Sequence, residues 1–217
     1  MINGDYLNLT KGQLKSKDGI DLHSRKDFDG MHTAGRVAAE ILDEIVTSVF
    51  PGQTTGKIDA IIEELIRDKN VESGTIGYRG YQHASCISVN HVVCHGIPSD
   101  KILKEGDILN IDVTVIKDGW YGDTSRMYVA GQPSRKAERL IQVTHDALFK
   151  GIDAVKPGKT FGDIGHAIQT YVEANRMSVV RDFCGHGLGR VFHSPPNVLH
   201  YGREGTGPRI EEGMFFT

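Results

Sequence analysis

Two aspartates, Asp112 and Asp123, lie in β-rich segments on either side of the turn sequence Lys117-Asp118-Gly119. A hairpin with a Lys117-Asp118 loop places the two carboxylates directly opposite each other, and one with an Asp118-Gly119 loop places them diagonally on the same face. In both registers they lie within bridging reach of each other. A three-residue loop without a bulge would instead put them on opposite faces of the sheet.

The chemistry of this pair points to a cation. Asp112 stands between Ile111 and Val113, and an unpaired carboxylate in an apolar strand is unfavourable. Two neighbouring carboxylates repel each other, so either one is protonated or a cation lies between them. Divalent ions satisfy both groups, and paired ions about 3.5–4 Å apart recur in hydrolases. The alternative is that Asp112 or Asp123 pairs with Arg126 or with a backbone amide.

Three histidines occur in glycine-punctuated or apolar settings. His95 lies in the sequence VVCHGIP, and His186 and His193 lie in CGHGLGRVFH. A single histidine of this kind is more often a core residue than a ligand. Three of them beside a carboxylate pair favour a mixed nitrogen and oxygen site, which suits Mn, Fe, Co or Zn better than Mg or Ca.

Other chemistries lack their sequence signatures. The GHGLG segment does not have the frame of a phosphate-binding loop, and no GxSxG motif is present. The chain has 25 Lys and Arg against 28 Asp and Glu, a net charge of −3 and an isoelectric point near 6.4. This balance argues against a general nucleic-acid binder.

Composition also indicates the compartment. The three cysteines, Cys86, Cys94 and Cys184, form no CxxC pair, which fits small apolar residues in a reducing environment. The polar N-terminus is unlike a secretory signal, and no apolar run reaches the length of about 18 residues that a membrane span needs. We therefore expect a cytoplasmic globular protein without a membrane segment.

Apolar periodicity predicts helices over about 29–50, over the segment with Ile58, Ile61, Ile62 and Leu65, and near 134–155 and 161–175. Residues 1–26 show little periodicity and are predicted to be a surface extension or loop. Between the first and second pairs of helices lies Gly-rich, β-branched sequence. This pattern predicts an α+β fold.

An internal repeat indicates two similar halves. The segment Pro51–Ile58 (PGQTTGKI) recurs 106 residues later as Pro157–Ile164 (PGKTFGDI), and Glu105–Ile108 recurs as Glu212–Phe215. The simpler interpretation is a common helix connector, in which Pro ends one helix and Thr caps the next. Duplication explains both matches, and it predicts a site between the halves.

Three long motifs resemble type I methionine aminopeptidase: Asn90–Pro98 (NHVVCHGIP), Asn110–Ser125 (NIDVTVIKDGWYGDTS) and Cys184–His193 (CGHGLGRVFH). The resemblance covers residues 28–217 and leaves 1–27 as an N-terminal extension. It implies the pita-bread fold, with two pseudo-symmetric α+β halves of antiparallel sheet and outer helices. It also implies a dinuclear site for two divalent ions, such as Co, Mn, Fe or Zn.

The resemblance also assigns roles to residues. It implies metal ligation by Asp112, Asp123 and His186, with Asp123 bridging both ions. It implies that His95 and His193 are catalytic, since they contact the substrate and stabilise the developing tetrahedral species. The positions that line the methionine pocket are then Tyr78, Tyr81, Cys86 and Phe192, together with the two histidines.

The implied activity is removal of the initiator methionine from nascent polypeptides whose second residue is small. The implied partners are nascent N-termini and the ribosome. The near-neutral charge and the lack of a long apolar run or stripe predict no membrane contact, no direct nucleic-acid site and a monomer. The family has two further glutamate ligands, the first expected two residues beyond Thr217, so the sequence resembles a C-terminally truncated enzyme. The alternatives are a catalytically impaired fragment, a non-catalytic pita-bread binding module and an Xaa-Pro peptidase.

Overall fold

The structure, a computed structural model, describes residues 14–217 and separates into two compact units. The early unit comprises Asp29–Arg139, and the late unit comprises residues 14–28 and Leu140–Thr217. Over residues 14–217, no helix is long and apolar enough to cross a membrane.

The early unit packs two helices against one face of a four-stranded antiparallel sheet. Helix α1 spans Arg25–Glu44 and continues as a 3₁₀ turn over Ile45–Ser48, and helix α2 spans Thr55–Asp68. The strands are β3 (Glu72–Ser73), β4 (Ser85–Val89), β5 (Asp107–Lys117) and β6 (Trp120–Ala130). Strand β5 is central, because β6 pairs along its whole length while β4 and β3 pair with different parts of it.

Side chains alternate strictly along β5. One face carries Leu109, Ile111, Val113 and Val115, all of them fully buried in the core formed with α1 and α2. The intervening positions belong to the opposite face, because successive residues of a strand point to opposite sides. Residues such as Asp112 therefore lie on a polar face that the core does not use.

The late unit has less sheet. Its elements are β1 (Leu14–Lys15), β2 (Asp21–Leu22), most of α3 (Arg135–Ala154), α4 (Phe161–Ala174), β7 (Gly185–Gly187) and β8 (Ser194–Val198). Strands β1 and β2 pair with each other, as do β7 and β8. The core of this unit is a small cluster formed by Ile20, Phe161, Ile164, Val198 and Ile210.

The repeated connectors make equivalent backbone hydrogen bonds in the two units. Gly52 donates to the carbonyl of Leu103 at 2.8 Å, and Gly158 donates to that of Ile210 at 3.0 Å. Leu103 and Ile210 each donate back, at 2.8 Å, to the residue that follows the glycine. The match extends to partners about 50 residues away, which supports duplication over a chance connector sequence.

Each connector also caps its helix in the same way. The Thr54 hydroxyl accepts from the Lys57 amide, and the Thr160 hydroxyl accepts from the Asp163 amide, both at 3.3 Å. Thr160 and Asp163 complete a capping box. The duplicated segment therefore also serves as a helix cap.

The helices predicted near 134–155 and 161–175 are confirmed by α3 and α4. The first helix begins earlier than predicted, at Arg25, and its last regular turn ends at Glu44. Val46 follows Ile41 and Ile45 at helical spacing, but it is 52% exposed because the tighter 3₁₀ turn rotates it away from the apolar face.

Part of the predicted N-terminal loop is packed. Ile20 is only 3% exposed and belongs to the core of the late unit, so residues 14–26 are not simply a surface loop. The remainder of the predicted extension, residues 1–13, lies outside the described residues. The domain boundary near residue 27 stays a prediction.

Candidate active site

The hairpin of β5 and β6 closes through a two-residue turn. Lys117 pairs with Trp120, so Asp118 and Gly119 form the loop. Their φ angles are 52° and 78°, and a type I′ turn requires positive φ at both central residues. The Asp118-Gly119 register is therefore confirmed.

This register brings the two predicted carboxylates onto one face of the sheet. Asp112 pairs with Ser125 and Thr114 pairs with Asp123, so Asp112 and Asp123 are diagonal neighbours. The Thr114 hydroxyl donates to Asp123 Oδ1 at 2.9 Å. Carboxylates that ligate metals are commonly oriented by such hydrogen bonds from a second residue.

Arg126 does not pair with this carboxylate pair. It lies opposite Ile111, on the other face of the hairpin, and forms an ion pair with Asp43 of α1. The alternative in which Arg126 neutralises Asp112 or Asp123 is therefore wrong.

Cys86 extends the polar face into β4. It pairs directly with Asp112, so the two side chains lie on the same side of the sheet. The Tyr81 hydroxyl donates to the carbonyl of Ser85, the residue before Cys86, at 2.9 Å. A phenol, a thiol and a carboxylate thus lie close together.

The groups beside Asp112 are held in their neutral forms. Burial raises the pKa of the Cys86 thiol, and the charge of Asp112 raises it further, while the contact with Tyr81 opposes the shift. Burial likewise raises the pKa of Tyr81, and burial and Asp112 raise the pKa of Cys94. At neutral pH Tyr81, Cys86 and Cys94 are therefore uncharged.

A buried carboxylate on α2 anchors the segment that leads into β4. Asp59, 6% exposed, accepts through Oδ1 from the amide and the hydroxyl of Ser85 at 2.9 and 2.7 Å. Its Oδ2 lies 3.1 Å from His83 Nδ1. These bonds fix the end of the loop that contains Tyr78 and Tyr81, with Tyr78 at the start of a 3₁₀ turn.

His95 is held by a loop that docks on β4. Its φ is 54°, in the left-handed region that non-glycine residues rarely occupy. The next residue, Gly96, accepts from the Ile87 amide at 2.8 Å and donates to the Ser88 hydroxyl at 3.0 Å. A Cβ atom on Gly96 would lie 2.2 Å from the Ile87 carbonyl oxygen, so only glycine permits this docking.

In the late unit, His186, Phe192 and His193 form one ring cluster. The ring centroids of His186 and His193 are 4.2 Å apart, and those of Phe192 and His193 are 4.1 Å apart. Phe192 is buried, whereas His193 is exposed. The structure therefore brings together the three residues predicted in this half.

The surroundings of His186 define its tautomer. Nδ1 lies 3.1 Å from the Gly187 carbonyl oxygen, and because a carbonyl only accepts, Nδ1 must carry the proton. In the neutral ring Nε2 is then the nitrogen with the lone pair, as in many metal-bound histidines. Thr217 adds two backbone contacts, since its hydroxyl accepts from His186 N at 3.1 Å and its amide donates to His186 O at 2.8 Å.

The predicted site residues fall into two groups. The early unit contributes Tyr78, Tyr81, Cys86, His95, Asp112 and Asp123, and the late unit contributes His186, Phe192 and His193. Neither unit, as described over residues 14–217, contains three or more His, Cys, Asp or Glu side chains grouped to hold a metal ion. Asp112 and Asp123 fit a divalent ion as two oxygen donors of a larger set, and the metal roles stay predictions.

Three supporting residues were not predicted from the sequence. Asp59 follows a core isoleucine in α2, and an acid on the apolar side of a helix was the available signal. Thr114 lies two residues after Asp112, so the strand period placed it on the same face. Thr217 carried no sequence signal, because its partner is 31 residues away.

The sequence also matches known proteins. Residues 29–217 match metallopeptidase family M24. The chain is 56% identical over 198 residues to the methionine aminopeptidase of Rickettsia prowazekii, covering 91% of this chain and 76% of that protein. It is 48% identical over 200 residues to the methionine aminopeptidase of Escherichia coli K12, with the same two coverages.

Solved structures give the same result. The crystal structure of the Rickettsia prowazekii methionine aminopeptidase superposes with a TM-score of 0.90 at 55% identity, over 91% of this chain and 79% of that one. A prolidase from Pyrococcus horikoshii shares the fold, with a TM-score of 0.76 at 20% identity over 90% of this chain and 54% of that one. The predicted pita-bread fold is confirmed. The chain belongs to metallopeptidase family M24.

Proposed function

We propose that this chain is a metal-dependent aminopeptidase that removes methionine from the N-terminus of polypeptides. The observation that carries the proposal is the shared sheet face of Asp112, Asp123 and Cys86, which places a carboxylate pair beside a neutral thiol. Identity of 56% to a methionine aminopeptidase across 91% of the chain supports the same activity.

The neutral groups suit a methionine side chain. A thioether is apolar and polarisable, and it packs favourably against aromatic rings. The raised pKa values of Tyr81 and Cys86 keep both groups uncharged at neutral pH, so neither presents a charge to the thioether. We infer that Tyr81 and Cys86, with Tyr78 and Phe192, line the pocket that selects methionine.

Asp112, Asp123 and His186 are the residues that would hold the two divalent ions we expect. Oxygen and neutral imidazole donors suit Mn, Fe, Co or Zn. Such ions, when bound, activate water as a nucleophile and polarise the scissile carbonyl. The chain itself orients the donors: Thr114 bonds to Asp123, and Gly187 fixes the tautomer of His186.

His95 and His193 are the proposed catalytic histidines. Both side chains are exposed, so solvent and substrate can reach them. A ring N–H aimed at the reacting carbonyl would stabilise the negative charge that develops on its oxygen. The docked loop fixes the backbone beside His95, and the ring of His193 packs against Phe192.

We infer that the substrates are nascent chains with a small second residue, which are met in the cytoplasm and at the ribosome. Three free, partly buried cysteines fit that reducing compartment. The formal charge of −3 gives no reason to propose a nucleic-acid site or a membrane surface, and we propose a monomer.

The test measures free amino acid released from a Met-Ala peptide and from an Xaa-Pro peptide. The chain is first stripped of metal and then supplied with Mn²⁺, Fe²⁺ or Co²⁺, and metal binding is followed separately by calorimetry. Asp112→Asn is the site variant. Asp118→Asn is its matched control, because it removes the same charge from the same hairpin at a left-handed position that Asn tolerates.

We expect metal-dependent release of methionine from Met-Ala alone. Release should fall by more than about 100-fold in Asp112→Asn, beyond the range of outer-shell changes, and stay unchanged in Asp118→Asn. Release from the Xaa-Pro peptide would instead indicate a prolidase-type enzyme. No release from either peptide, together with no saturable metal binding, would overturn the enzymatic proposal in favour of a non-catalytic binding module.

A further inference from the structure

An aromatic stack joins the segment before α1 to the end of the described chain. The His23 ring lies flat on Phe215, with ring centroids 4.3 Å apart and an interplanar angle of 6°. Phe28 meets Phe215 edge-on at 5.1 Å, and the His23 amide donates to the Gly213 carbonyl at 2.8 Å. A Cβ on Gly213 would lie 2.6 Å from the His23 carbonyl oxygen, so this close approach needs glycine.

The segment that receives the stack, residues 215–217, pairs with β7. Leu188 donates to the Phe215 carbonyl at 3.2 Å, and Thr217 donates to the His186 carbonyl at 2.8 Å. Paired residues of a ladder share a face, so His186 lies on the same face as Thr217 and diagonally from Phe215. The His23 stack therefore lies on the face that carries the His186 imidazole.

Side chains on both faces of segment 215–217 make packing contacts. Phe216 points to the opposite side, where it packs edge-on against Phe161 at 5.0 Å and joins the core of the late unit. On the His186 side, Phe215 contacts His23 and Phe28. The stack thus secures the face that the core of the late unit does not reach.

We propose that His23 is a positioning residue for the site. By stacking on Phe215 it holds segment 215–217 against β7, and this segment in turn fixes the backbone and orientation of His186. The inference rests on the proposed function only where His186 is named as a metal ligand.

The electrostatic setting supports a stack of neutral rings. Burial lowers the pKa of His23 and Arg190 lowers it further, while Asp27 and Asp21 oppose the shift. The lowered pKa leaves the ring neutral at pH 7. A phenyl ring should therefore replace it without loss of the contact.

The experiment compares His23→Ala and His23→Phe with the wild-type chain. His145→Ala is the matched control, since it removes another His–Phe ring contact, with Phe149, elsewhere in the late unit. Three properties are measured: hydrogen exchange of the Leu188 and Thr217 amides, the tautomer of His186 by ¹⁵N NMR without metal, and Mn²⁺ affinity by calorimetry.

In His23→Ala we expect the two amides to exchange about 2- to 12-fold faster, the range that a ring pair accounts for. The Nδ1–H tautomer of His186 should lose population, and Mn²⁺ affinity should fall about 10-fold or more. In His23→Phe all three properties should stay within about twofold of their wild-type values. In His145→Ala none of them should change.

Equal acceleration of exchange across the late unit, including α4, would overturn the proposal, because it would show a general loss of stability. Unchanged amide exchange and an unchanged His186 tautomer in His23→Ala would also overturn it. Faster exchange of the two amides with unchanged Mn²⁺ affinity would overturn it as well. A wild-type chain that binds no Mn²⁺ would overturn the proposed function alone, since exchange and tautomer still decide the role of His23.

Discussion

Replacement of Asp59 by alanine should cause a large loss of stability, although Asp59 is not expected to touch metal or substrate. The change leaves the amide and the hydroxyl of Ser85, a residue that is 0% exposed, without their acceptor. Each buried unsatisfied donor costs about 1–3 kcal/mol, and His83 also loses its partner. Two such donors correspond to a fall of about 2–6 kcal/mol in the free energy of unfolding.

The assay is urea unfolding of Asp59→Ala, with Glu63→Ala as its matched control. Glu63 lies on the same helix, and its exposed ion pair with Arg67 spans 3.9 Å. Its removal should change the free energy of unfolding by less than about 0.5 kcal/mol. Equal losses in the two variants, or a loss below about 1 kcal/mol in Asp59→Ala, would refute the anchoring role.

A functional effect should accompany the loss of stability. Asp59 holds Ser85, and Tyr81 bonds to the carbonyl of Ser85, so the pocket wall loosens when the anchor is removed. For Met-Ala cleavage at a temperature where the variant stays folded, we expect KM to rise more than kcat falls. A change confined to kcat would place Asp59 in the chemical step instead.

Further predictions concern the His95 loop, the carboxylate pair and the core. Gly96→Ala should destabilise the early unit by more than about 1 kcal/mol in urea unfolding, because the new Cβ would lie 2.2 Å from the Ile87 carbonyl. Thr114→Ala removes the hydrogen bond to Asp123 and should weaken Mn²⁺ binding about 10- to 100-fold by calorimetry. Burial raises the pKa of Tyr128 to about 12, against about 10 unfolded, so the folded state keeps a proton that the unfolded chain loses. Stability measured by urea unfolding should therefore fall as pH rises from 10 to 12.

Matched variants make these predictions decisive. Gly35 lies in open space on α1, so Gly35→Ala should stabilise the protein by about 0.5–1 kcal/mol. Equal losses of stability in Gly35→Ala and Gly96→Ala would exclude the clash at Gly96 as the cause. Thr114→Ser should keep Mn²⁺ affinity, and a matching loss there would exclude the hydrogen bond as the cause. In Tyr128→Phe the free energy of unfolding should decline less steeply between pH 10 and 12. Parallel pH curves for the variant and the wild type would exclude the Tyr128 phenol as the cause of the decline.

Local signals in the sequence were sufficient for much of the fold and for the carboxylate pair. The Asp118-Gly119 turn fixes a register, and the strand period then sets the faces of Asp112 and Asp123 without reference to the rest of the chain. Helices α3 and α4 follow from apolar spacing for the same reason, and α4 also follows from its Thr160 cap. The repeated connectors were visible because both copies use the same short-range capping chemistry.

Features that depend on distant partners were not predicted. The burial of Ile20 depends on core residues such as Phe161, and His23 stacks on a ring more than 190 positions later. Val46 does not follow the α-helical period because α1 continues into a 3₁₀ turn there. Asp59 was overlooked because its partners, Ser85 and His83, lie in a loop and strand beyond the helix.

The compactness of the carboxylate hairpin has a consequence for the order in which the site is made. Asp112 and Asp123 lie within one continuous segment, Asp29–Arg139, whereas His186 is translated 63 residues after Asp123. Hairpins close within about 10 μs, and synthesis proceeds at about 5–20 residues per second. The two carboxylates can therefore meet about 3–13 seconds before His186 is added, so a growing chain can present two of the proposed donors while the third is still unmade.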